Sequence, residues 1–234
     1  MTERPSLPAP KRRRTWMTIV TIVAVTAIAI GGFRLVWDLA TPGRLDIPVP
    51  KDVEVQANGL PVGYEFAAAL SGQGDKLMCG PISWELVGEV PPGGRTAVME
   101  AVELLSTLTG LTVQPADQVG IAAVPFTLEF VSASELARAA AGYGGGNEAI
   151  GLAITMHSSV GITSSQILLS EPFFSAALAS NEDQAVLVVL HELGHALGLG
   201  HSADPSSVMY PYLSAQGRIT DADVVAFKAV TPSC

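Results

Sequence analysis

The stretch His191-Glu192-Leu193-Gly194-His195-Ala196-Leu197-Gly198-Leu199-Gly200-His201 holds three of the four histidines of a 234-residue chain. On an α-helix, residues four apart stand one above the other, so His191 and His195 aim their imidazoles at one point about a turn apart. Neutral imidazoles with that bite suit a tetrahedral zinc ion. Glu192 is displaced by about 100° round the helix from His191. Its carboxylate therefore reaches beside the ion, where an activated water would lie, and Glu192 is the expected general base. Gly198 tolerates positive φ, which lets the helix stop and the chain reverse, so that His201 returns to the same point as a third ligand. Three His ligands leave a fourth position for water, which marks a catalytic ion; a structural zinc normally has four protein ligands.

Working outward, the helix that carries His191 starts near Ser180 or Asn181, with Glu182 and Asp183 at its positive end. From Gln184 to Leu190 it is apolar nearly all round, which predicts burial at the centre of a domain. Downstream, Thr220 with Asp223 three residues on predicts a capped helix from Asp221 to Val230. Upstream, alternation predicts strands at 82–86, 126–130 and 150–156, and the apolar run 166–169 reads as a strand buried on both faces. An amphipathic helix is expected over 95–109, with Val98, Ala101, Val102, Leu105 and Leu108 on one stripe and Gly110 as its stop. Residues 142–147 read as a loop.

The pattern H-E-x-x-H-x-x-G-x-x-H resembles that of the metzincin zinc peptidases. Met209, eight residues after His201 within Ser207-Val208-Met209-Tyr210-Pro211, resembles the methionine turn that forms a floor beneath the zinc-binding histidines. Ser202 directly after the third histidine, and Met-Tyr-Pro at this spacing, resemble the matrixins, in the form of a minimal bacterial-type catalytic domain. Pro211 stands where astacins and serralysins place a switchable tyrosine ligand. The likeness runs from about Pro81 to Val230 in element order and is specific from His191 to Pro211. It implies an α+β fold: a twisted mixed β-sheet with two long helices and a C-terminal helix, the zinc lying in a cleft under the sheet's lower edge. It also implies a zinc-dependent endopeptidase acting on protein or peptide substrates. Animal matrixins carry a second, structural zinc on additional His and Asp residues, whereas this chain has only His157 there, which reads as a loop or strand-end histidine. Calcium is not indicated. The loop from Pro211 to Gly217 is expected to wall the pocket beyond the scissile bond, although Tyr212 lies one position earlier than in the usual matrixin pattern.

Charge is unevenly placed. Five basic residues, Arg4 and Lys11 to Arg14, precede the 19 uncharged residues Thr15 to Phe33, while the part from Asp38 onward has seven basic residues against twenty-one acidic ones. A run of that length matches the roughly 30 Å of a bilayer core, and the positive-inside rule leaves the N-terminus cytoplasmic. The expected organisation is a basic tail at 1–14, a transmembrane signal anchor at 15–37, a stem at 38–75 rich in Pro, Gly and small residues, and a catalytic domain at 76–234. Cleavage after a signal peptide is the competing reading and gives a secreted protein. The acidic remainder, within a net charge of −9, argues against nucleic acid as a partner. Two cysteines at opposite ends of an extracytoplasmic domain predict a Cys79–Cys234 disulfide. Cys79-Gly80 also resembles the inhibitory Cys-Gly of matrixin propeptides, which is the alternative role. Two rival functions stand beside the endopeptidase: a zinc-containing binding module without turnover, and a zinc hydrolase of non-peptide amides. The sequence leaves the oligomeric state open.

Overall fold

A computed structural model describes residues 45–67, 77–120, 123–143, 149–159 and 161–231. Its strands are β1 (Tyr64–Phe66), β2 (Ile82–Val87), β3 (Val113–Pro115), β4 (Val124–Val131), β5 (Gly151–Ser158), β6 (Gly161–Ser170) and β7 (Leu199–Ser202). Its helices are α1 (Gly94–Thr109), α2 (Ala133–Ala141), α3 (Glu171–Ser180), α4 (Glu182–Ala196) and α5 (Asp221–Ala229). Five strands form one sheet in the order β3-β2-β4-β6-β5, and β1 pairs with β7 as a separate two-stranded sheet. Within the large sheet β2, β3, β4 and β6 run parallel, while β5 is antiparallel to β6 and forms one edge. The sheet is therefore mixed, as expected, and its antiparallel edge strand follows from the hairpin that joins β5 to β6.

Alternation decides which sheet face is covered. Val124, Phe126, Leu128 and Phe130 of β4 are buried while Pro125 between them is exposed. Against that apolar face lies α1, whose expected stripe of Val98, Ala101, Val102, Leu105 and Leu108 is buried throughout. Burying a side chain of this size is worth about 1.5–3 kcal/mol. Gly110 ends α1 at φ 73°, donating its N–H to Ser106 O. Helix α4 packs between α1 and strands β5 and β6, and its residues Val186, Val189, Leu190 and Leu193 are wholly buried. Phe174 on α3 closes the adjoining layer, meeting Phe130 edge to face at 5.2 Å between ring centroids.

Two helices escaped the periodicity argument. Helix α2 is nine residues long and is set by a reciprocal cap between Ser132 and Glu135. Helix α3 follows β6 without a loop and has Pro172 in its first turn, where a missing N–H costs nothing. The stem differs more. Residues from Leu45 onward cluster with the rest of the domain as one unit, and Val55 bridges Pro61 before the chain enters β1. Pro and Gly there shape a tight turn with its own hydrogen bonds, Gln56 N to Leu60 O and Val62 N to Glu54 O. The expected transmembrane helix at 15–37 lies outside the described residues, and among the described residues no helix is long and apolar enough to cross a membrane. Cys234 also lies outside them; Cys79 is not a free thiol. His157 falls on β5, exposed, at the register shift after Met156, with its Nε2 beside Thr155 Oγ1.

Candidate active site

The helix that carries the site is fixed at both ends by its own sequence. Asn181 caps α4 by accepting the Gln184 N–H, and Glu182 and Asp183 occupy the first turn, where the helix dipole favours negative charge. At the other end Leu197 N–H is shared between Leu193 O and Gly194 O, and Gly198 takes φ 96°. That left-handed step turns the chain into β7, whose third residue is His201.

The reversal brings His191, His195 and His201 together, with one ring nitrogen of each lying within 4.8 Å of the others. Among the described residues they are the group of three or more His, Cys, Asp or Glu side chains with metal-holding spacing. His191 Nδ1 lies 2.8 Å from Val208 O and His195 Nδ1 lies 2.7 Å from Leu199 O. A carbonyl can only accept, which assigns the proton of each ring to Nδ1 and leaves both Nε2 atoms as acceptors. Those two Nε2 atoms face each other at 2.9 Å. Two lone pairs at that distance repel, and a shared cation resolves the repulsion. Nitrogens at about 2.1 Å from a tetrahedral zinc ion stand about 3.4 Å apart, so the two rings would open by about 0.5 Å to hold one.

Charge on the rings is suppressed by their surroundings. Burial, with the neighbouring His195 next in weight, pushes the His191 pKa down to about 3. Burial likewise lowers that of His195 to about 4. His201 is lowered by burial too, with Glu65 opposing from nearby. Neutral imidazoles at neutral pH are the form that binds metal.

Glu192 points elsewhere from the histidines. It is 5% exposed, and burial raises its pKa to about 8, against the opposing hydrogen bond from Ala153 N–H on β5. Gly151, at the start of the same strand, makes room for it: a Cβ there would lie 2.4 Å from Glu192 Oε1 and 2.6 Å from its Cγ. A buried carboxylate thus lies between the active-site helix and the edge strand of the sheet. A cation at the histidines would favour its ionised form.

Beneath the helix lies Met209, fully buried. A Cβ on Gly194 would meet Met209 Sδ at 2.6 Å and Phe227 Cζ at 3.2 Å, so the thioether lies directly against the helix backbone between His191 and His195. The turn 207–210 is closed by Tyr210 N–H to Ser207 O, and Ser202 N–H to Met209 O ties it to β7. Its anchor is Asp223, 0% exposed. One oxygen accepts from Ser207 Oγ and the Tyr64 hydroxyl, both at 2.6 Å; the other accepts from Thr220 N–H and Oγ1, both at 2.7 Å, and from Val208 N–H at 3.3 Å. Periodicity marked Asp223 only as a helix cap. Its second task, along with the parts of Gly151, Gly194, Ser207 and Tyr64, had no local signal except the glycines inside otherwise regular elements.

A helix supplying two imidazoles, its reversal a third and a methionine turn the floor define the metzincin class of zinc peptidase sites. The matrixin family model matches residues 95–230, more than half of the chain, and the chain belongs to that family. It is 67% identical over 33 residues to a matrilysin of Rattus norvegicus, 13% of this chain and 12% of that protein. It is 56% identical over 36 residues to matrix metalloproteinase-25 of Homo sapiens, 15% of this chain and 6% of that protein. It is also 48% identical over 44 residues to a probable matrix metalloproteinase, 095L, of Invertebrate iridescent virus 3, 18% of this chain and 12% of that protein. The matched stretches thus span only a small part of the length of these relatives.

Proposed function

We propose that the chain is a zinc-dependent endopeptidase that hydrolyses peptide bonds of proteins outside the membrane, with His191, His195 and His201 as ligands and Glu192 as general base. The observation that carries the reading is the pair of unprotonated Nε2 atoms facing each other at 2.9 Å beside a third imidazole. Membership of the matrixins, a family of zinc endopeptidases, supports it. His191, His195 and His201 would hold a zinc ion, which would supply Lewis acidity toward the scissile carbonyl and would acidify the attacking water. Glu192 accepts the proton of the attacking water and delivers it to the leaving amine nitrogen. Among the described residues β5 is an edge strand whose outer side offers backbone groups to an extended substrate, and Glu192 stands against that strand, so backbone pairing would lay the scissile bond beside both the base and the histidines.

The same reading assigns 15–37 as a membrane anchor with the folded part extracytoplasmic, supported by the basic block ahead of it and the acidic character behind it. It pairs Cys79 with Cys234; Cys79 is not free, and the chain has only these two cysteines. The test is Glu192→Gln in the full chain, read by metal analysis and peptide cleavage together. The variant holds about one zinc per chain and loses at least about 100-fold in turnover. A zinc-replete Glu192→Gln protein that cleaves at the wild-type rate overturns the assignment.

A further inference from the structure

We propose that residues 54–66, upstream of the region shared with the matrixin family, are a positioning strap for the histidine-bearing segments, with Tyr64 as its positioning residue. The link to zinc rests on the metallopeptidase reading above.

The strap carries hydrogen bonds of its own. Val55 bridges Pro61, and Gln56 Nε2 donates to Pro61 O at 2.7 Å and to Tyr64 O at 2.9 Å. Leu60 and Tyr64 are then buried, at 0% and 3% exposure. Strand β1 pairs with β7 through Tyr64 opposite Ser202 and Phe66 opposite Leu199, flanked by Ala203 N–H to Gly63 O and Ala67 N–H to Gly198 O. The two backbones approach so closely that a Cβ on Gly200 would lie 2.8 Å from Glu65 O and 2.9 Å from Phe66 O.

Each histidine is tied to this strap. His201 lies on β7, and β1 is the strand paired with it. His195 donates its Nδ1 proton to the carbonyl of Leu199, the residue that Phe66 pairs with. His191 donates to the carbonyl of Val208, whose own N–H goes to Asp223. The Tyr64 hydroxyl donates to the other oxygen of Asp223 and lies 3.0 Å from Ser207 Oγ, which accepts the Met209 N–H. Burial, and next the neighbouring Asp223, raise the Tyr64 pKa above its usual value, so the phenol stays protonated and donates. Among the described residues β7 pairs in a sheet with β1 alone, and a four-residue strand does not hold itself straight without it. Removing β1 would leave His201 on a connection fixed mainly by Ser202 N–H to Met209 O. The strap therefore governs the orientation of all three imidazoles without touching the ion.

The experiment uses the full chain with Tyr64→Phe, which keeps the buried ring and removes only the hydroxyl. Zinc affinity is measured by competition with a chromophoric chelator, and amide hydrogen exchange is followed over 199–209. Loss of a partner behind the ligands typically weakens metal binding 10–100-fold, and the expected rise in the zinc dissociation constant is about 10-fold. Exchange should quicken in 199–202 and 207–209. Ile82→Val, a buried change on β2, which is separated from β5 by β4 and β6 and lies in a different sheet from β7, serves as the destabilised comparison and should leave both readouts unchanged. Unchanged zinc affinity or unchanged exchange in Tyr64→Phe overturns the strap, as does an equal loss of affinity in Ile82→Val. A wild-type chain with no zinc site that His201→Ala weakens overturns the metallopeptidase reading instead, and the exchange comparison still decides whether Tyr64 holds β7.

Discussion

Gly151→Ala perturbs the side chain of Glu192, which supplies the three atoms nearest to the added Cβ. The added Cβ would lie 2.4 Å from Oε1, 2.6 Å from Cδ and 2.6 Å from Cγ of Glu192. Non-bonded heavy atoms settle at about 3.5 Å, so the carboxylate must withdraw by about 1 Å, and because Cγ is struck as well the side chain has to swing from its base. Gly151 pairs with Leu169 across the β5–β6 ladder, which keeps the strand from yielding in its place. In stability the effects partly offset: overpacking costs about 1–3 kcal/mol, and replacing a glycine returns about 0.4–1 kcal/mol through the unfolded chain, leaving a net loss of roughly 0 to 2.6 kcal/mol. In catalysis they do not offset, since a misplacement of about 1 Å costs on the order of 100-fold. The assay is kcat on a peptide substrate beside zinc content and urea unfolding of the same preparation. Turnover should fall about 100-fold with about one zinc per chain retained. A folded, zinc-replete Gly151→Ala protein with wild-type kcat would refute the placement of Glu192 as the base.

His201→Ala leaves two ligands from one helix and should lose zinc on gel filtration, as metal analysis would show. Wild-type protein at a free zinc concentration of 1,000 times its dissociation constant should gain about 4 kcal/mol over the chelated form, a rise of roughly 8–16 °C in Tm by calorimetry that His201→Ala lacks. Met209→Leu keeps a similar volume beneath the helix; unfolding should show a loss under about 1.5 kcal/mol with zinc content unchanged. Asp223→Ala strands the buried donors of Tyr64, Ser207, Val208 and Thr220, each worth about 1–3 kcal/mol when left unpaired, and denaturant unfolding should record a loss of at least about 3 kcal/mol.

What the sequence revealed of this site was what short-range geometry determines. His191 and His195 meet because of the helical period, and Gly198 reverses the chain because a single left-handed step suffices; neither needs knowledge of the rest of the molecule. The same holds for α1, whose stripe and glycine stop were readable, and for α5 with its Thr220–Asp223 cap. Helix α3 hid because its hydrophobicity is spread round its circumference and it directly abuts β6, so no change of period marks the boundary. Glycine positions were half legible. Gly151 and Gly194 interrupt a strand and a helix, which signals close approach, but the approaching groups, Glu192 and Met209, come from 41 and 15 residues away.

Tyr64 marks where short-range reading fails. Its partners Ser207 and Asp223 are 143 and 159 residues distant in the chain, and it lies in a stretch whose Pro and Gly content resembles a linker. Composition reports how a segment behaves alone, whereas the order of residues 54–66 comes from what β7 lacks. Among the described residues β7, which carries His201, has no neighbour in the main sheet and would leave much of its backbone unpaired without β1, so folding stabilises it by recruiting chain from upstream. The helix sets the spacing of His191 and His195 while Val208 and Leu199 hold their rings, and His201 depends on a strand borrowed from upstream. Changes at Gly200 should therefore act first on His201, changes at Tyr64 on His201 and, through Asp223 and Val208, on His191, and changes within α4 on His191 and His195 together.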